Sequence, residues 1–187
     1  RSLVSSEWTV RLGSVDVVSV GKSEQRFITS VIRVHPNYNS SSNENDIALI
    51  KLHDPAKLNN YVSTICLPDQ DSGELYENGN LCHVAGWGSD RVYPVYPLSS
   101  LTLPIVSNRQ CNTFDEFSVT DKMLCAGRQD GIDTCNGDGG SALMCNSSKG
   151  FVAVGINSVG EGCGKSKHGV YSDVRHYLDW IKVQLFT

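Results

Sequence analysis

Seven cysteines in 187 residues, with no Cys-x-x-Cys pair among them, constrain this chain more than any other feature. Thiols spaced this way at this density are disulfides of a protein made in an oxidising compartment, and the fold must bring distant segments within bonding distance. Even Cys135 and Cys145 stand too far apart for a zinc knuckle, so metal binding is not expected of these thiols. An odd count leaves one cysteine to a second polypeptide segment or to a free thiol.

Between the cysteines, short strand-like runs bounded by turn residues recur. They are Trp8 to Leu12, Phe27 to Val34, Ile47 to Leu52, Leu81 to Ala85, Leu101 to Val106, Gly150 to Ile156 and Gly169 to Ser172. This rhythm predicts an antiparallel all-β barrel or sandwich. Only at the end does the period become helical, where Val174, Tyr177, Leu178, Ile181 and Leu185 follow a Ser172-Asp173 start signal. A C-terminal helix packed on the β structure is expected. Asn37 to Asn45 and Asp69 to Asn80 read as exposed loops, the second linking two halves. Asn39-Ser40-Ser41 and Asn146-Ser147-Ser148 are acceptor triplets for N-glycosylation.

Composition excludes several classes. A net charge of −4 carries no nucleic-acid signal, and 40% apolar with 19% charged residues is ordinary globular usage. No apolar run approaches the roughly 20 residues that span a bilayer. Arg1-Ser2-Leu3-Val4 lacks the apolar core of a signal peptide, so any targeting sequence is expected upstream.

The segment Asp133-Thr134-Cys135-Asn136-Gly137-Asp138-Gly139-Gly140-Ser141-Ala142-Leu143 resembles the Gly-Asp-Ser-Gly-Gly-Pro-Leu motif of the chymotrypsin and trypsin family of serine proteases. Further matches follow in the family's order: Asp46-Ile47-Ala48-Leu49, Ile65-Cys66-Leu67-Pro68, Ala85-Gly86-Trp87-Gly88, Met123-Leu124-Cys125-Ala126-Gly127, Gly169-Val170-Tyr171 and Trp180-Ile181. The resemblance implies an all-β fold of two six-stranded Greek-key barrels with a C-terminal helix. The first barrel is incomplete over residues 1–70, and the second, with the helix, spans 71–187.

The resemblance also assigns roles. Asp46 resembles the aspartate that orients the catalytic histidine, and Ser158 the serine that hydrogen-bonds this aspartate beside the substrate site. Gly137 and Gly139 resemble the two backbone donors of the oxyanion hole. Gly139 also stands where the family has its nucleophilic serine, and glycine has no oxygen to attack a carbonyl. Ser141, two residues on, is displaced too far to substitute. Asp133 resembles the acid at the base of the Arg/Lys specificity pocket, with Gly160 and Gly169 as pocket-wall glycines. Val159 departs from the tryptophan usual beside that pocket. Asp138 resembles the aspartate that captures the freed N-terminal amine on zymogen activation.

None of the five histidines, His35, His53, His83, His168 and His176, matches the family's Ala-Ala-His-Cys segment, so the base is expected from an upstream segment. The pairings implied are Cys82 with Cys145, Cys111 with Cys125 and Cys135 with Cys163. Cys66 is left to tie the domain to an upstream segment or chain. Calcium-binding trypsins carry two glutamates after the Trp-x-Val-x-Leu-Gly strand. Glu24 matches one and Ser14 stands at the other, so no metal and no other cofactor is expected.

The leading expectation is therefore a secreted protease homologue, or the ectodomain of an anchored one, inactive as written. It would regulate by binding a protein or peptide that carries Arg or Lys. The alternative is a working endopeptidase cutting after Arg or Lys, present as a serine-to-glycine variant and one segment of a nicked or two-chain protein. Natural loss and an introduced change both satisfy the motif, and drift at Ser141 and Ala142 favours natural loss. A scaffold used only for adhesion would predict a blocked pocket, against which Asp133, Gly160 and Gly169 argue.

Overall fold

The computed structural model describes residues 7–89, 97–114, 118–128, 134–159 and 168–185. Strands β1 (Thr9–Leu12), β2 (Gln25–Val34) and β3 (Ala48–Leu52) form an antiparallel sheet in that order. Strands β4 (Leu81–Gly86), β5 (Ser99–Val106), β6 (Met123–Ala126), β7 (Ala142–Ser147), β8 (Gly150–Val159) and β9 (Gly169–Asp173) close into a barrel, ordered β4-β5-β6-β9-β8-β7. Helix α1 (Asn108–Phe114) lies between β5 and β6 in sequence, and α2 (Leu178–Leu185) follows β9. One closed antiparallel barrel, a partial second sheet and a C-terminal helix make up the all-β fold expected from the motifs.

Closure at the seam between β4 and β7 follows from register. Cys82 and Cys145 are direct cross-strand partners, their Cα atoms 4.3 Å apart, and a disulfide joins them. The core of the barrel gathers Val84, Leu103, Ile105, Leu124, Leu143, Val154 and Tyr171 around this bridge. A second bridge, Cys111–Cys125, ties α1 to β6 within a smaller cluster that includes Val106, Met123 and Val170. Cys135 is also disulfide-bonded, whereas its expected partner Cys163 lies outside the described residues. Cys66 is a free, exposed thiol.

One local expectation needs correction. Residues 69–80 are not simply an exposed loop: Ser72–Tyr76 forms a 3-10 helix whose Leu75 is buried in the barrel core. Leu75 and Tyr76, two adjacent apolar residues among acids and glycines, gave no periodic signal. The C-terminal helix begins as a 3-10 turn, Val174–Tyr177, before α2. The side chain of Asp173 caps this turn by accepting from the Arg175 N–H at 3.0 Å. Val174, Tyr177 and Ile181 then bury against Ile47, pinning the residue next to Asp46 to the C-terminal segment.

The Cys82–Cys145 bridge closes a 63-residue loop across the seam. Chain-entropy reasoning puts its contribution at about 4 kcal/mol. Replacing both cysteines by alanine should lower the unfolding free energy by that order in a urea titration, and a loss below about 1 kcal/mol would mean that core packing alone closes the barrel.

Candidate functional site

The last residues of β8 organise the site. The register between β8 and β9 shifts between Asn157 and Val159, so Ser158 is the extra residue of a bulge, a device that re-aims a side chain out of the ladder. Its Oγ donates to Asp46 Oδ2 at 2.6 Å. The backbone of Asp46 is fixed separately, since its carbonyl accepts from Ser172 Oγ of β9 at 2.7 Å. On the other side, the adjoining residue, Asn157, grips the glycine-rich turn. The Asn157 carbonyl accepts from Gly140 N at 2.8 Å and its N–H donates to the Ser141 carbonyl at 2.9 Å. Neighbouring residues of one strand thus hold Asp46 and the Gly139 turn.

Within that turn the three glycines differ. Gly137 and Gly140 have φ of +102° and +90°, a region that favours glycine. Gly139 is not in that region, and a Cβ built on it would meet nothing within 4 Å. The backbone therefore requires glycine at 137 and 140 but not at 139. No hydrogen bond engages the N–H of Gly137 or Gly139 among the described residues. Ser141 Oγ faces the barrel wall, 3.3 Å from where a Cβ on Gly86 would stand.

Asp138 sits inside the turn with 8% exposure. Its Oδ1 accepts from Gly88 N at 2.8 Å and its Oδ2 from Cys135 N at 2.9 Å. A Cβ on Gly86 would lie 1.9 Å from Asp138 Oδ1, and one on Gly88 would lie 2.4 Å from its Cγ. These two glycines are the bed of the carboxylate. The sequence shows Gly86 and Gly88 as part of the Ala85-Gly86-Trp87-Gly88 match but not this role, because the approach joins segments about fifty residues apart. A cavity bounded by Val84, Gly86, Gly88, Ser99, Thr134 and Asp138 adjoins the carboxylate. Among the described residues no cation pairs with it.

Of the other expected residues, Gly169 is buried at the start of β9, opposite Ala126. Asp133 and Gly160 lie outside the described residues. The histidines have other attachments. His35 Nδ1 accepts from Asn37 N at 3.3 Å while its ring packs on Tyr177 and Trp180, and burial pulls its pKa below the usual value, with Lys122 adding to the effect. His53 faces Asp54, His83 faces Thr102 and His176 faces Asp173. The Asp46 carboxylate is bonded by Ser158 and, among the described residues, by no histidine.

Residues 2–181 match the profile of the Trypsin family. The chain is 40% identical to Trypsin-3 of Salmo salar over 199 aligned residues, covering 96% of this chain and 79% of that protein. Similarity of the same order extends to anionic trypsin of Canis lupus familiaris, at 39% identity with 97% and 77% coverage, and to Trypsin I-P38 of Gallus gallus, at 35% with 98% and 78%.

The bed of Asp138 gives a direct test. In Gly88→Ala the methyl group displaces a carboxylate held by two amide donors, which should cost about 2 kcal/mol or more. Calorimetry should then find the melting temperature lower by about 4 °C or more, and an unchanged transition would mean the carboxylate can leave its bed freely.

Proposed function

Because the chain belongs to the trypsin family of serine proteases, we propose that it is a secreted homologue that has lost peptide hydrolysis and keeps a binding or regulatory role. The carrying observation is Gly139: the turn around it keeps its order while the position itself offers no oxygen to attack a carbonyl. In this reading Asp46, held by Ser158, keeps the orienting place. Gly137 and Gly139 present the N–H groups of an oxyanion site, which without a nucleophile can only bind. Asp133 with Gly160 and Gly169 would receive an Arg or Lys side chain from a protein or peptide ligand, pairing a carboxylate with the incoming cation. The disulfides favour an extracellular setting.

The reading includes an upstream segment or chain, joined through Cys66, that supplies the histidine and further strands of the first barrel, whose part here ends near residue 70. Exposure of the Cys66 thiol supports it, as does a sheet of three strands that leaves Ile28 and Ile50 exposed. Asp138 would then meet the amine of an activated N-terminus, a counter-charge for a carboxylate that, among the described residues, accepts from two amide donors.

The open space at Gly139 also favours a second reading, an endopeptidase cutting after Arg or Lys in which serine has been exchanged for glycine. Two measurements separate these readings. Gly139→Ser, combined with an upstream segment that carries the histidine, should fold; an arginyl amide left uncut would remove the second reading, whereas turnover would show that the scaffold is competent and that the loss lies at the glycine. Benzamidine, an arginine mimic, should bind the chain in calorimetry and bind Asp133→Asn about tenfold to a hundredfold more weakly, the scale of a charge-assisted hydrogen bond. Equal binding by both proteins would remove the basic-ligand pocket from the proposal.

A further inference from the structure

Between β1 and β2 the chain makes a loop, residues 13–24, in which several backbone carbonyls turn inward. The Asp16 side chain shapes it. Oδ1 accepts from Val18 N at 2.7 Å and Ser19 N at 3.2 Å, and Oδ2 accepts from Ser19 Oγ at 2.6 Å. The carbonyls of Asp16, Val17 and Ser19 and the carboxylate of Glu24, whose side chain is only 1% exposed, all face one guanidinium. Three carbonyls around a buried anion describe a cage for a cation.

The cation within it is covalent. Arg11, on β1, donates Nη1 to the Val17 carbonyl at 2.6 Å, and Nη2 to the carbonyls of Asp16 at 3.1 Å and Ser19 at 3.0 Å and to Glu24 Oε2. Arg26 closes the second carboxylate oxygen, Glu24 Oε1, from the solvent side. Between them the hydrogen bonds of Arg11 and Arg26 hold the Glu24 carboxyl down at about 2, so it stays an anion through the whole neutral and mildly acid range. A divalent ion does not fit the residues present. Both carboxylate oxygens are engaged by guanidiniums, Ser14 supplies a hydroxyl that itself donates to the Asp16 carbonyl at 2.7 Å, and a hard dication takes six to eight oxygens.

The geometry points to Arg11 as the resident cation of this loop: its guanidinium occupies the centre that a divalent metal would need, and the loop is held without metal. A guanidinium suits this place because its fixed fork reaches several acceptors at once and it never loses its proton. The arrangement also explains how Val15, Val18 and Val20 can project into solvent, with exposures of 64%, 68% and 66%, from an ordered loop. The Asp16 side chain and the carbonyls of Asp16, Val17 and Ser19 are all hydrogen-bonded, so the loop's order does not depend on burying those side chains.

Lys22 lies in the loop and offers a cleavage site for endoproteinase Lys-C. The rate of that cut reports how often the loop opens. The folded chain should be cut after Lys22 at the same rate in millimolar calcium chloride and in excess chelator, with no change in melting temperature. Slower cutting or a higher melting temperature in calcium would overturn the proposal, whatever the variants do. Arg11→Gln should be cut about tenfold faster or more, and Arg11→Lys should fall between it and the parent, because an ammonium restores the charge but not the fork. Equal rates for the Lys and Gln variants would reduce Arg11 to a packing residue and also overturn it. Arg26→Gln, which removes only the outer partner of Glu24, should stay close to the parent rate; acceleration equal to that of Arg11→Gln would deny Arg11 its central place.

Discussion

Closure of the six-stranded barrel at the β4–β7 seam is the constraint on which the rest of the molecule depends. Once β7 is fixed to β4 by register and by the Cys82–Cys145 bridge, β8 and β9 must follow in a set order. The bulge at Ser158 can then be placed where it meets Asp46, a residue from the other half of the chain. A closed barrel also removes free edges from this half, and the turn that carries Gly139 is one of the loops that leave it.

That turn separates two properties that catalysis normally joins. Backbone order resides in Gly137, Gly140 and the buried Asp138, whereas chemical reactivity would reside in one oxygen at position 139. The first can persist without the second because none of the hydrogen bonds around the turn uses a side chain at 139. A protein of this kind can lose an activity without losing stability, which is the situation in which a binding role can be kept.

Much of this was legible in the sequence. Strands β1 to β5, β8 and β9 announce themselves through runs such as Phe27 to Val34, where β-branched residues fall between turn signals. β6 did not, because Met123 to Ala126 are all buried and leave no alternation to read. β7 did not either, since Ala142 to Ser147 contain no β-branched or aromatic residue and pair on both sides only through the closed barrel. At the site, Asp46, Ser158 and the glycines could be named from motif order. The gripping role of Asn157 could not, because it acts through its backbone, and a backbone contact leaves no mark on residue choice. The same holds for the carbonyls that surround Arg11, which an Asp-Val-Val-Ser run does not advertise.

The Val15 carbonyl, in the loop that Arg11 organises, accepts from two donors at once: Trp87 Nε1 at 3.2 Å and Leu98 N at 2.8 Å. Trp87 stands between the two glycines on which Asp138 rests. One oxygen of the three-stranded half is therefore a hinge pin for the lip of the chamber beside Asp138. The loop and the lip thus share one anchor, so a change in the path of the loop at Val15 reaches the bed of the carboxylate through two hydrogen bonds.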